Sequence, residues 1–204
     1  MATMHPDPRR YFRGQIPQRD TILQSLEIEA RQEQIPIVGP VVGQLLGHLA
    51  AFAGAKRILE LGTATGYSAI YLARGSAPNG RVVTLEKDPR MAERARANLA
   101  QAGLSERVAV VECDAVDTLV GMTETFDLIF LDVEKADYVR VLSDCHRLLR
   151  ANGLLVADNT AFTDADSFNR AVAEDRRFQA VNLYAYLPFH APEDDAITFA
   201  LRLP

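Results

Sequence analysis

Four residues in the second half of the chain, Asp132, Lys135, Asp158 and Asn159, are of types that could do chemistry together. Asp132 and Asp158 each close a short apolar run, Phe126 to Leu131 and Leu154 to Ala157. Runs apolar on both faces read as central strands of a covered parallel sheet, and such sheets bind ligands at the carboxyl ends of their strands. Neighbouring strands lie about 4.8 Å apart. If these two are neighbours, both carboxylates and the Asn159 side-chain oxygen can converge on one hard cation. An all-oxygen set suits Mg2+, or another divalent cation such as Ca2+ or Mn2+, better than zinc or copper. Three protein oxygens would leave positions open for water and a substrate. Singly, each acid also reads as a cap or turn residue, and Asp158-Asn159 is a common turn pair; their order and flanking strands favour the cation. Lys135 stands at a helix start, where the dipole disfavours its charge. A nearby cation disfavours that charge further, so the amine could accept a proton.

A second constellation lies earlier, in Arg57-Ile58-Leu59-Glu60-Leu61-Gly62-Thr63-Ala64-Thr65-Gly66-Tyr67-Ser68. It reads as a strand, a tight turn and a helix start. Two glycines let the backbone bend and approach a ligand, and the helix start offers free N–H groups. The spacing is not that of the dinucleotide fingerprint, which needs a third glycine. Glu60 would repel a phosphate and favour a cation such as the ammonium and sulfonium of S-adenosylmethionine. Val82 to Glu86 reads as a second strand ending in an acid, where Glu86 can accept from ribose hydroxyls.

The run Glu60 to Ile70, together with Phe126-Asp127-Leu128-Ile129-Phe130-Leu131-Asp132-Val133-Glu134-Lys135 and Asp158-Asn159, resembles the class I S-adenosylmethionine-dependent methyltransferases. In detail it is similar to the small metal-dependent O-methyltransferases related to the catechol and caffeoyl-CoA enzymes, from about Ile37 onward. The resemblance implies a cofactor pocket of Glu60, Gly62, Thr63, Gly66, Tyr67, Ser68, Glu86, Lys87, Asp114, Ala115 and Asp132, with Asp114 accepting from the adenine amino group. It implies metal ligands Asp132, Asp158 and Asn159, and catalytic roles for Asp132 and for Lys135 as general base. The acceptor expected is a small hydroxylated aromatic, most simply a vicinal diol. A hydroxylated tRNA nucleoside is a second acceptor class, supported only by the basic N-terminus, and a non-catalytic S-adenosylmethionine-binding module is a third reading. The chain departs from the family after Asn159, where an aromatic and glycine-rich segment is missing, and at Phe189 to Asp195, which replaces a Gly-Asp-Gly turn.

The elements that must position these residues alternate. Residues 1–19 are a turn-prone basic lead, expected to be loosely ordered, with a flap over the acceptor as the functional alternative. Asp20 caps a helix from Thr21 to about Gln34, and Gly39-Pro40 opens another to about Ala53. On that apolar helix His48 is expected to be packed and hydrogen-bonded. Strands follow at 57–61, 81–86, 108–112, 126–131 and 154–157, with helices at about 67–74, from Pro89 to before Gly103, from Asp137 to Leu149, and behind Asp164. Strands at about 178–187 and 196–203 should add an antiparallel edge. The fold class expected is therefore α/β: a Rossmann-like doubly wound, mostly parallel seven-stranded sheet with an antiparallel C-terminal edge strand and extra N-terminal helices. One domain covers 1–204, with 1–36 bordering the acceptor site and 37–204 forming the cofactor-binding core.

Composition sets the bounds. At 204 residues and 48% hydrophobic the chain can bury one sizeable core, and a net charge of −5 gives no global basic footprint for nucleic acid. Cys113 and Cys145 have no disulfide or zinc spacing and read as buried free thiols. No apolar stretch is long enough to span a membrane, and Met1 to Arg10 lacks an apolar signal core. A cytoplasmic protein, as a homodimer, is the expectation.

Overall fold

The computed structural model describes residues 3–204; Met1 and Ala2, the first residues of the expected tail, lie outside the described residues. Seven strands, β1 (Arg57–Leu61), β2 (Arg81–Glu86), β3 (Val108–Glu112), β4 (Phe126–Leu131), β5 (Leu149–Ala157), β6 (Phe178–Tyr186) and β7 (Asp194–Arg202), form one sheet in the order β3-β2-β1-β4-β5-β7-β6. The first five run parallel and β7 runs antiparallel to both its neighbours. The antiparallel strand is thus the last one but not the edge, which β6 supplies. Strand order reverses between β1 and β4, so the crevice at their carboxyl ends is the switch point where such sheets bind ligands.

The period of two divides the core in half. Ile58, Leu128, Phe130 and Val156 face one apolar cluster, while Leu59, Leu61, Ile129, Leu131, Leu155 and Ala157 face the other. The helices are α1 (Pro8–Arg13), α2 (Thr21–Glu33), α3 (Gly39–Phe52), α4 (Tyr67–Gly75), α5 (Pro89–Gln101), α6 (Ala115–Leu119), α7 (Tyr138–Leu148) and α8 (Asp166–Glu174). The first cluster takes residues from α2, α3, α4 and α5, and the second from α6, α7 and α8. Burial of each large side chain contributes about 1.5–3 kcal/mol, which holds the central strands, and with them the site, in a rigid frame.

Several expectations need correction. The basic lead is not a loose tail throughout: Asp7 caps α1 by accepting from the Arg10 amide at 3.0 Å. That helix is tied to the β6–β7 turn by Arg9 to Asp194 at 2.7 Å and by an Arg13 to Glu193 ion pair. Tyr186 and Phe189 give the Arg13 guanidinium aromatic faces at 5.8 and 5.2 Å. Strand β5 begins at Leu149, before the Asn152-Gly153 break. Phe126 pairs with Leu149 and Leu128 with Leu154, so the intervening residues bulge out, with Asn152 at φ +59°. His48 is exposed rather than packed, its ring 3.0 Å from the Gln44 amide nitrogen. Cys145 is a buried free thiol as expected, pushed up to about 12 by burial, whereas Cys113 is only half-buried. The short helix α6 went unread because its five residues are too few for a periodic pattern.

Helices α3 and α4 cross at glycine. A Cβ on Gly75 would lie 2.1 Å from the Gly47 carbonyl oxygen, and one on Gly43 would lie 2.6 Å from the Tyr71 ring. Because α4 begins at the glycine turn, this crossing sets where the turn sits. Gly75→Ala should force the helices apart and cost about 1–3 kcal/mol. In urea titrations its midpoint should fall at unchanged slope; an unaltered midpoint would show that the crossing yields freely.

Candidate functional site

The carboxyl ends of β1, β2, β4 and β5 open into a cleft of about 320 Å3. Its wall contains Gly62, Thr63, Tyr67, Ser68, Glu86, Lys87, Asp114, Ala115, Asp132, Lys135, Asp158 and Asn159. Two of the residues proposed from sequence for the cofactor, Glu60 and Gly66, do not line it.

On the β1 side the turn depends on its two glycines. Gly62 and Gly66 have φ of +94° and +83°, and a Cβ on Gly62 would sit 2.0 Å from the Asp132 carbonyl oxygen. Glu86 organises the turn from the next strand: its Oε2 accepts from the Thr63 and Ala64 amides at 3.1 and 2.8 Å, and its Oε1 accepts from the Asp88 amide at 2.9 Å. Asp114 caps α6, accepting from the Val116 amide at 2.8 Å through Oδ1. Tyr67 donates its hydroxyl to buried Glu27 at 2.8 Å, and Arg19 clasps the same carboxylate at 2.8 and 2.9 Å. The N-terminal helix α2 is thereby fastened to the cleft wall. Glu60 lies wholly buried, and neither carboxyl oxygen makes a hydrogen bond to a described residue. Burial pushes it up to about 8, against the Ser68 and Thr84 hydroxyls and with the charges of Asp132 and Glu86.

On the β4 and β5 side the two strands are neighbours, Leu131 pairing with Ala157, so Asp132 and Asp158 leave the sheet side by side. The Asp158 amide donates to the Leu131 carbonyl at 3.0 Å, and the Asp132 amide to the Leu61 carbonyl at 2.9 Å. Lys135, in a 3-10 turn over Lys135–Asp137, donates from Nζ to Asp132 Oδ1 at 3.0 Å and to the Val133 carbonyl at 3.2 Å. Burial pushes the Asp132 carboxyl above the ordinary carboxylate range, reinforced by the charge of Asp158 and opposed by Lys135.

Two residues that sequence reasoning missed complete the arrangement, both from the turn before and at the start of β7. Asp195, fully buried, accepts from Asn159 Nδ2 at 2.6 Å, and the Ala191 carbonyl accepts from the same nitrogen at 3.2 Å. His190 places Nε2 at 3.0 and 2.9 Å from the two oxygens of Asp158 and Nδ1 at 2.6 Å from the Pro192 carbonyl. Burial lowers the affinity of that ring for its second proton, but the hydrogen bond and charge of Asp158 outweigh it and the pKa is raised. The only signal was the departure at Phe189 to Asp195 from the pattern of the family resembled.

The side chains fit a divalent cation. Among the described residues no group of three or more His, Cys, Asp and Glu is assembled for a metal. The set that converges is two carboxylates and an amide oxygen. Asn159 has its nitrogen committed to Asp195 and Ala191, which leaves the oxygen as its free end. Asp132 uses only Oδ1, on Lys135. The charge of Asp158 raises the proton affinity of Asp132, so this edge calls for positive charge, and hard oxygen donors suit Mg2+.

Comparison with known proteins identifies the family. A family model described as O-methyltransferase matches residues 18–186. A catechol O-methyltransferase of Mycobacterium tuberculosis is 47% identical over 118 residues, 57% of this chain and only 54% of that relative's length. A catechol O-methyltransferase of Niastella koreensis is 41% identical over 152 residues, covering 71% of this chain and 69% of the relative. Among solved structures, the O-methyltransferase TomG of Streptomyces achromogenes, involved in tomaymycin synthesis and in complex with S-adenosylmethionine, superposes with a TM-score of 0.86 at 29% identity over 96% of both chains.

Glu60 offers a test of this electrostatic picture. In the native protein it holds its proton up to about pH 8, while its ordinary value is 4.5. Between those values the unfolded chain has lost a proton that the native chain keeps, so stability falls by about 1.4 kcal/mol for each pH unit gained. Glu60→Gln should remove that decline. The urea midpoint of the variant should gain on the wild type as pH rises through this window, and parallel profiles would contradict a neutral Glu60.

Proposed function

The chain belongs to the family of S-adenosylmethionine-dependent O-methyltransferases, and from that premise we propose that it methylates a hydroxyl of a small acceptor, most simply a vicinal aromatic diol, with help from a divalent cation. The observation that carries this reading is the single cleft shared by the glycine turn, Glu86, Asp132, Lys135, Asp158 and Asn159.

In this reading the turn from Gly62 to Ser68, with Glu86 and Lys87 behind it and Asp114 and Ala115 at the far wall, holds S-adenosylmethionine, which presents an electrophilic methyl on a sulfonium. Glu86 already spends its oxygens on the turn amides, so it shapes the pocket as well as offering an acceptor to ribose. Asp132, Asp158 and Asn159 would hold Mg2+ or a similar ion, which when bound would lower the pKa of an acceptor hydroxyl and fix two adjacent oxygens. Lys135, whose Nζ lies 3.0 Å from Asp132, would take the hydroxyl proton after giving up one of its own. The acceptor oxygen then forms a bond to the methyl carbon as the C–S bond breaks with its electron pair on sulfur, releasing S-adenosylhomocysteine. Orientation of the two reactants in one cleft supplies much of the rate.

Arg9 and Arg13 of the basic lead are engaged with Asp194 and Glu193, which weakens the support for the tRNA alternative. A cytoplasmic homodimer belongs to the same reading, supported by the acidic composition and by exposed Val181, Leu183 and Tyr184 along edge strand β6. No helix among the described residues is long and apolar enough to cross a membrane.

A methyl-transfer assay over a catechol and phenol panel tests the function. Chelator should abolish turnover and added Mg2+ restore it. Lys135→Ala should lower kcat by roughly 10²–10⁴-fold, as expected for a lost general base, and Asp158→Asn should lower turnover while leaving S-adenosylhomocysteine affinity nearly unchanged. Full turnover in excess chelator would remove the cation from the mechanism, and absence of turnover on every acceptor alongside tight S-adenosylmethionine binding would favour a binding module instead.

A further inference from the structure

We propose that His190 is a positioning residue that clamps the Asp158 carboxylate in the orientation from which it can bind a divalent cation together with Asp132 and Asn159. The inference deepens the metal-assisted reading above and rests on it.

The geometry is specific. The His190 side chain is 1% exposed and the Asp158 side chain 2%, so the contact between them is shielded from competing water. The ring cannot swing, because Nδ1 donates to the Pro192 carbonyl at 2.6 Å while Nε2 meets both Asp158 oxygens at 3.0 and 2.9 Å. A carboxylate offers about four lone-pair directions, so a donor shared between its two oxygens leaves free lone pairs on each. An Asp held this way keeps its capacity to ligate while losing the freedom to rotate about its side-chain torsions. Ordering a ligand before the ion arrives removes that entropy from the cost of binding, and carboxylates that ligate metals are themselves hydrogen-bonded for this reason.

The same turn fixes the third oxygen donor. Asp195 accepts from Asn159 Nδ2, and its Oδ1 accepts from the Ala196 and Ala161 amides at 2.7 and 3.2 Å, so it too is immobile. Asp195 Oδ2 stands 3.8 Å from His190 Nδ1. Within one segment, His190 to Asp195, the chain thus carries partners for two of the three donors, and the Glu193 carboxylate at its centre accepts from the Phe189 amide at 2.9 Å to close the turn on itself. The opposing possibility, that His190 is a built-in cation that competes with a metal for Asp158, predicts the reverse sign and is separated by the measurement.

Mn2+ binding to the full-length protein, followed by the loss of its free-ion electron paramagnetic resonance signal, reads the effect without turnover. His190→Ala should weaken Mn2+ binding 10- to 100-fold, the range seen when a partner of a metal ligand is removed. His190→Gln, whose amide can still donate to a carboxylate oxygen, should recover most of the loss. S-adenosylhomocysteine affinity should stay at the wild-type value in both, which general damage to the fold would not allow. Equal Mn2+ affinity in His190→Ala and wild type, or tighter binding in the variant, would overturn the proposal. If His190→Ala does not fold, His190→Leu, which fills the space without offering a donor, decides it by the same comparison, and wild-type Mn2+ affinity in that variant overturns the proposal. A wild type that binds no Mn2+ would overturn the metal-assisted reading itself, and the proposal with it, before any variant is made.

Discussion

The contact on which the rest of the molecule depends is the passage of Gly62 over the Asp132 main chain. A Cβ there would stand 2.0 Å from the Asp132 carbonyl oxygen, inside any van der Waals limit, so only glycine lets β1 and β4 end this close together. Everything at the cleft is measured from that approach. It sets the glycine turn directly against Asp132, so that under the proposed function the methyl donor and its acceptor would come within one reach. The adjacent pairing of β4 with β5 then carries the second acid to the same edge.

Charge at that edge is balanced by the chain in a consistent way. Asp132 meets Lys135, Asp158 meets His190, Asp195 meets the Asn159 amide, and Glu86 meets three main-chain amides. Glu60, alone among these acids, has no such partner and is kept neutral by burial instead. Two solutions to the same desolvation problem thus stand on neighbouring strands. Paired acids have their oxygens fixed by donors, while the unpaired one surrenders its charge.

The sheet was legible because its signal is local. Strand bounds at 57–61, 81–86, 108–112 and 126–131 follow from apolar runs closed by glycine or an acid, and the structure has the same bounds. The acids at the strand ends were legible for the same reason. Strand β5 was read short because Asn152-Gly153 marks a break by local chemistry, and the bulge that spans it exists only through pairing with β4. His190 and Asp195 could not be read as partners of Asp158 and Asn159, since their contacts cross 32 and 36 residues of sequence and depend on how a hairpin folds back. Helix α1 carries an Asp-Pro start that was visible in the sequence, but its docking depends on ion pairs to residues almost the whole chain away.

That last feature has a temporal meaning. The glycine-turn side of the cleft is built from contacts such as Glu86 to Thr63, separated by 23 residues, whereas Arg9 reaches Asp194 across 185. Loop closure over so long a span is entropically the more demanding event. A newly made chain can therefore complete its glycine turn from a central stretch already in hand, and must wait for its final strand before α1 acquires its braces.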